Sequence, residues 1–169
     1  LILVLNMAKN ILPEFVEETF MLEAIKEANK AALIGEVPVG AVIVYKGKIF
    51  ARAHNKRIKK NSAIAHAEIE VIQKATKKLG DWRLKDMSLY VTVEPCIMCV
   101  GAIIHSRIGK LVYGCDEPKM GAINSVMKVF DNKKHHHKPL VCSGVLKGQC
   151  SNLLKVFFKS IRSNKKTLS

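Results

Sequence analysis

The chain has 169 residues, 49% of them hydrophobic and 25% charged. These proportions suit one folded domain with a real core and exclude a disordered or low-complexity chain. The formal net charge of +14 is unevenly spread. Residues 1–40 hold six acids and three bases, residues 41–132 hold sixteen bases and eight acids, and residues 133–169 hold nine bases and no acid. That asymmetry points to a partner rich in phosphates. The apolar opening Leu1–Leu5 is too short for a signal peptide, and no segment approaches a membrane span, so no membrane partner is expected. Five cysteines in such a chain are expected to be thiols in a reducing cytoplasm.

In chain order, Met7 follows an opening leucine closely. Residues 1–12 are therefore read as a disordered or start-site extension, residues 1–6 as outside the native start, and residues 13–166 as a single domain. Residues 14–34 form the first expected helix, with Leu22, Ile25, Ala28 and Ala32 on one side and Gly35 as its C-cap. The β-branched run Gly40–Tyr45 predicts a strand, and Lys46-Gly47 turns it into a second, Lys48 to Ala53. A helix is expected from His66 to about Leu79, stopped by Gly80, and then a strand over Ser88–Val93. Pro95 suits the approach to a helix over Cys96–Ser106. Short strands follow at Leu111–Tyr113 and Leu140–Cys142. A C-terminal helix over 146–166 sets Leu146, Cys150, Leu153, Leu154, Phe157 and Ile161 on one face, opposite Lys155, Lys159, Arg162 and Lys166. A cationic face with no interleaved glutamate favours an anionic partner, and Phe158 lies at its border, where a ring can stack on a base.

Four residues carry the chemistry. His66, Cys96 and Cys99 can hold one zinc ion and leave its fourth position open, as catalytic sites do. Glu68, two residues after the histidine, can reach a zinc-bound water without being a ligand. Cys96 and Cys99 at i and i+3 share a helix face. Both half-sites fall at expected helix N-termini, where the positive end of the dipole favours thiolate and oxyanion. A structural zinc site needs a fourth ligand, and Cys115, Cys142 and Cys150 lie in no second Cys-x-x-Cys unit. They read as reduced structural cysteines. A redox pair accounts for neither His66 nor Glu68.

The His-x-Glu…Pro-Cys-x-x-Cys pattern resembles that of zinc nucleobase deaminases. Longer runs are similar to bacterial tRNA-specific adenosine deaminases: residues 35–42 (GEVPVGAV), 65–69 (AHAEI), 89–99 (LYVTVEPCIMC), 105–108 (HSRI), 112–114 (VYG) and 157–159 (FFK). The resemblance covers roughly residues 13–166. It implies a three-layer α/β/α cytidine deaminase-like fold, a five-stranded mixed sheet flanked by helices, assembled as a homodimer. The implied reaction is hydrolytic deamination of adenosine to inosine at the first anticodon position of an arginine tRNA. One Zn²⁺ per chain would be held by His66, Cys96 and Cys99 with water as fourth ligand, and no organic cofactor is implied. Glu68 would take the water proton, deliver it to N1 and then protonate the departing amino group. Asn55 would contact the flipped base, the backbone near Val39 and Ala67 would line the pocket, and Glu117, with Asp116 beside it, would face the ribose. Lys119, Phe158, Lys159 and Arg162 would touch the anticodon stem-loop.

The sequence departs from that family where it reads His135-His136-His137. Adjacent histidines project in different directions, so the run is expected to be a solvent-exposed or RNA-facing loop, not a metal site. Two other functions compete. A small-molecule deaminase for guanine, cytosine or a nucleoside has no need of an acid-free basic helix. A non-catalytic RNA-binding subunit has no need of Glu68.

Overall fold

The computed structural model describes the backbone of residues 2–167 and the side chains of residues 15–163. Its elements are α1 (Ile2–Leu33), β1 (Gly40–Tyr45), β2 (Lys48–His54), α2 (Ala67–Leu79), β3 (Met87–Val93), α3 (Ile97–His105), β4 (Lys110–Cys115), β5 (Leu140–Ser143) and α4 (Lys147–Thr167), with a short 3-10 turn at Val129–Asp131. The strands form one sheet in the order β2-β1-β3-β4-β5. The β1 strand pairs antiparallel with β2 and β3, while β3, β4 and β5 run parallel. The fold is the expected three-layer α/β/α architecture with a mixed five-stranded sheet.

Alternation along the strands separates two cores. Ile43, Leu89, Val91, Leu111 and Tyr113 face α2 and α3, packing on Val71, Ala75, Val100 and Ile103. Val42, Val44, Tyr90 and Val112 face α1 and α4, packing on Met21, Ala24, Ile25 and Cys150. Side chains buried on both faces explain why these strands read as continuous apolar runs.

The buried face of α1 is turned from the expected one. Met21, Ala24, Ile25, Ala28 and Ala31 are buried, whereas Leu22 is 43% exposed. The cause is a close approach at Gly40, where a Cβ would lie 2.0 Å from the Ala24 carbonyl oxygen and 2.3 Å from the Ala28 nitrogen. The helix backbone rests directly on the first strand, so alanines must line the contact. At the end of α1, Gly35 adopts φ 76°. The Gly35 and Glu36 N–H groups donate to the Ala32 and Ala31 carbonyls, a left-handed C-cap as expected. The helical backbone of α1 reaches back to Ile2. The side chains of residues 1–14 lie outside the described residues, and with them the reading of residues 1–12 as an extension. Lys165 and Lys166 lie outside them as well. Among the described residues, no helix is long and apolar enough to cross a membrane.

Candidate active site

The helices begin one residue later than expected, so His66 and Cys96 are the N-caps of α2 and α3. Both have extended backbone, and neither side chain bonds back to its own helix as a serine or aspartate cap would. They meet each other instead. His66 Nδ1 lies 3.8 Å from Cys96 Sγ and 3.6 Å from Cys99 Sγ, and the two sulfurs are 3.7 Å apart. The parallel pairing of β3 with β4 and the antiparallel pairing of β1 with its neighbours bring the starts of α2 and α3 to one end of the sheet. That is the carboxyl end of β3 and β4, where open sheets of this kind place their ligands.

The three atoms have the spacing a tetrahedral metal requires. Bonds of ~2.3 Å to sulfur and ~2.0 Å to nitrogen give edges of about 3.8 Å for S–S and about 3.6 Å for N–S. Among the described residues, His66, Cys96 and Cys99 are the one His/Cys/Asp/Glu group close enough to share an ion. The electrostatics favour a thiolate. The hydrogen bond with the Cys99 thiol, together with His66, draws the Cys96 thiol down to about 4 against the cost of its burial. His66 is raised, chiefly by its bond to Cys96. Cys99 is raised by its bond to Cys96 and by burial, so one sulfur of the pair keeps its proton until a cation displaces it.

Glu68 lies in the first turn of α2, only 4% exposed. Burial pushes its carboxyl above the ordinary range and the Cys96 charge adds to this, against its own backbone N–H and the His66 charge. A carboxyl so placed is suited to take up and return a proton near neutral pH. It opens into a cleft of about 180 Å³ that Val39, Asn55, His66, Cys96 and Glu117 also line. Asn55 is buried, and its backbone is not in the left-handed region. Its Oδ1 accepts the Ala67 N–H at 2.9 Å and its own N–H donates to the Val39 carbonyl at 3.1 Å. That fixes the amide orientation, and among the described residues its Nδ2 has no partner, leaving a donor beside Glu68.

Other expected residues sit apart from the cleft. Asp116 pairs with Lys147 at 2.6 Å, so of the two neighbouring acids it is Glu117 that lines the cleft. The Lys119 N–H donates to Glu117 Oε1 at 3.0 Å, but its side chain is not part of the wall. Phe158, Lys159 and Arg162 lie exposed on α4 and do not line the cleft either. Phe158 meets Phe157 edge-on at 5.5 Å between ring centres. In the histidine run, His137 Nε2 lies 2.7 Å from the Ile108 carbonyl oxygen.

Val37, Arg57, Val93, Glu94 and Met120 complete the wall, and sequence reasoning singled out none of them. Arg57 was detectable as an arginine two residues beyond Asn55. Glu94 was not, because its partners lie some thirty residues away. Its Oε1 accepts the N–H groups of Ile123 (2.9 Å), Asn124 (2.7 Å) and Ser125 (3.0 Å). Its Oε2 accepts the Glu117 N–H at 3.1 Å and the Ser125 hydroxyl. One carboxylate thus hangs the whole 117–125 loop, with Glu117 and Met120, from the residue preceding Pro95-Cys96. Burial opposes its ionisation, but these donors outweigh burial and hold its pKa below the ordinary value. Its stabilisation is complete above the usual carboxylate pKa and is lost as pH falls through the lowered folded one. Glu94→Gln puts an amide N–H₂ against donors. Urea unfolding should then show a loss of about 1–3 kcal/mol, with a raised KM and full metal content.

The sequence pattern of the MafB19-like deaminases spans residues 15–162. The chain is 49% identical over 150 residues to the tRNA-specific adenosine deaminase of Bacillus subtilis, covering 89% of this chain and 93% of that one. Among solved structures, it superposes with a TM-score of 0.78 on a tRNA:A34 deaminase from studies of A-to-I editing at the wobble position. That structure is 43% identical, with 80% of this chain and 99% of the other covered. A Bacillus subtilis guanine deaminase is more distant, at 31% identity and a TM-score of 0.59, over 86% of this chain and 93% of that one. With the metal donors, the buried carboxylate and the sheet order all in place, and with relatives matched along nearly their whole length, the chain belongs to the tRNA-specific adenosine deaminase family.

Proposed function

We propose that this enzyme deaminates adenosine to inosine at the wobble position of tRNA, arginine tRNA in particular, releasing ammonia. The observation that carries the reading is that Glu68, His66 and Cys96 open into one small cleft at the carboxyl end of β3 and β4, with the buried Cys99 sulfur within 3.7 Å of both of the other donor atoms. A single Zn²⁺ per chain, held by His66 Nδ1, Cys96 Sγ and Cys99 Sγ, would supply the Lewis acidity that makes water a nucleophile at neutral pH. Glu68 accepts the proton of the attacking water on its carboxylate and passes it to N1 of the purine. It then takes the second proton, from the hydroxyl now on C6, and delivers it to the amino group as the C6–N bond breaks and the C6 carbonyl forms, so its base and acid roles alternate within one turnover. Asn55 Nδ2 donates to the purine edge, Val39 and the Ala67 backbone flank the base, and Glu117 faces the ribose.

The cytoplasm is the proposed compartment and a homodimer the proposed assembly. The substrate enters as an extruded loop nucleotide, and the rest of the RNA is held by cations. Those proposed are Lys119, Lys159 and Arg162, with Phe158 as a stacking ring. The α4 helix carries no acid along its length, which supports a polyanionic substrate over a free base of guanine or cytosine type. Charge reversal at Lys159 and Arg162 together should weaken tRNA binding about tenfold and flatten the log Kd against log salt slope by roughly 1.5. Anisotropy titrations at several salt concentrations measure both. The direct test of the activity is incubation of zinc-loaded protein with an arginine tRNA transcript bearing adenosine at the wobble position. Reverse-transcription sequencing should read A as G at that position alone. No change there would remove the tRNA reading.

A further inference from the structure

A second surface, at the amino ends of β3, β4 and β5, gathers cations that the cleft does not use. Trp82 is 55% exposed, and the Arg83 guanidinium sits 5.2 Å from its ring centre while also bonding Asp81 at 3.1 Å. Lys85 is exposed and has no ion-pair partner among the described residues. Arg107 holds a left-handed backbone (φ 59°), and its Nη1 donates to the His136 carbonyl at 2.9 Å. Together with the His137–Ile108 contact, this ties the histidine loop to the turn between α3 and β4 at two points. Trp82, Arg83, Lys85, Arg107 and His137 surround a hollow of about 560 Å³, wider than the cleft.

The local charge is lopsided. Asp81 answers Arg83, and Asp86 follows Lys85, but among the described residues no carboxylate lines the hollow itself. Arg107 above all, then slight desolvation and the neighbouring His105, His135 and His137, disfavour protonation of His136. Packing does not require such a surface, since its members are exposed or half-buried. A cationic hollow with an exposed ring and an arginine over it is the chemistry that receives RNA phosphates and an adjoining sugar or base. It lies at the far end of α3 from the metal donors, about 14 Å along a nine-residue helix. A duplex rising roughly 3 Å per base pair covers that distance in about five.

We propose that Trp82, Arg83, Lys85, Arg107 and His137 form a second RNA-binding surface that grips the phosphate backbone of the substrate beyond the nucleotide in the cleft. The inference rests on the tRNA reading above and extends it from the anticodon loop to the stem. Arg107 is a poor place to test it, because its backbone conformation and its bond to His136 are structural. The exposed Lys85→Glu and Arg83→Glu, and Trp82→Ala, are the informative variants.

The zinc-loaded full chain is assayed on a full-length tRNA and on a short single-stranded anticodon-loop oligonucleotide, and tRNA Kd is measured by anisotropy at several salt concentrations. The expected result is a roughly fivefold rise in KM and Kd on tRNA for each charge reversal and a salt slope shallower by about one. The kcat should stay within twofold, and the short oligonucleotide should be turned over as by wild type. An unchanged tRNA Kd, equal losses on both substrates, or a change confined to oligomeric state would each overturn the proposal. If wild type binds tRNA but forms no inosine, the catalytic reading fails, while the anisotropy comparison still decides the surface.

Discussion

Glu68→Ala is expected to abolish deamination and leave the metal site intact. The carboxylate is buried in the first turn of α2, two residues from His66, and is not one of the three grouped donors. Its removal takes away both proton transfers, each of a kind that contributes 10²- to 10⁴-fold, so a loss of about 10⁴-fold in kcat is expected. Inosine formation under single-turnover conditions and metal analysis of the same preparation measure the two halves of the claim. Thermal stability should not fall, because burial raises the Glu68 pKa. A carboxyl with a raised folded pKa costs stability once pH rises past its unfolded value, and alanine removes that cost. Activity within tenfold of wild type, or zinc well below one per chain, would contradict the assignment and make Glu68 structural.

Cys99→Ala should act in the opposite order, through the metal. Cys99 is fully buried, one turn into α3, and its sulfur closes two of the three edges of the donor triangle. With one thiolate gone, zinc content should drop from about one to below about 0.1 per chain, and activity with it. The unfolding midpoint should fall by the stabilisation that the bound ion provides, about 4 kcal/mol when free metal stands at a thousandfold its Kd. Chelator should lower the midpoint of wild type by that amount and leave Cys99→Ala unmoved. A variant that still binds one zinc and still responds to chelator would show that the metal sits elsewhere.

These residues were legible in the sequence because local geometry alone joins them. Cys96 and Cys99 are neighbours on one helical turn, and His66 with Glu68 opens another helix, so only the meeting of two helix starts had to be inferred. The strands were legible for a similar reason, since Gly40–Tyr45 and Ser88–Val93 are β-branched runs buried on both faces. What escaped depends on contacts distant in sequence. Leu22 looked like core by spacing, but Gly40, sixteen and twelve residues beyond Ala24 and Ala28, lets the α1 backbone approach the sheet and turns Leu22 outward. Glu94 looked like an incidental acid before Pro95-Cys96, and only the closure of the 117–125 loop reveals its five donors. Asn55 came from resemblance, and the reason for it appears only in the Ala67 N–H that orients its amide.

The choice between an RNA loop and a free base as substrate is tested most directly by kcat/KM of the zinc-loaded protein on an arginine tRNA with wobble adenosine. Adenosine, guanine and cytosine are measured in parallel under the same conditions. Ammonia release on tRNA should exceed that on any free base or nucleoside by at least about 10³-fold, because binding energy from the rest of the RNA serves the reacting nucleotide. Comparable or higher kcat/KM on a free base or nucleoside would contradict a tRNA-acting enzyme and leave a small-molecule deaminase in its place.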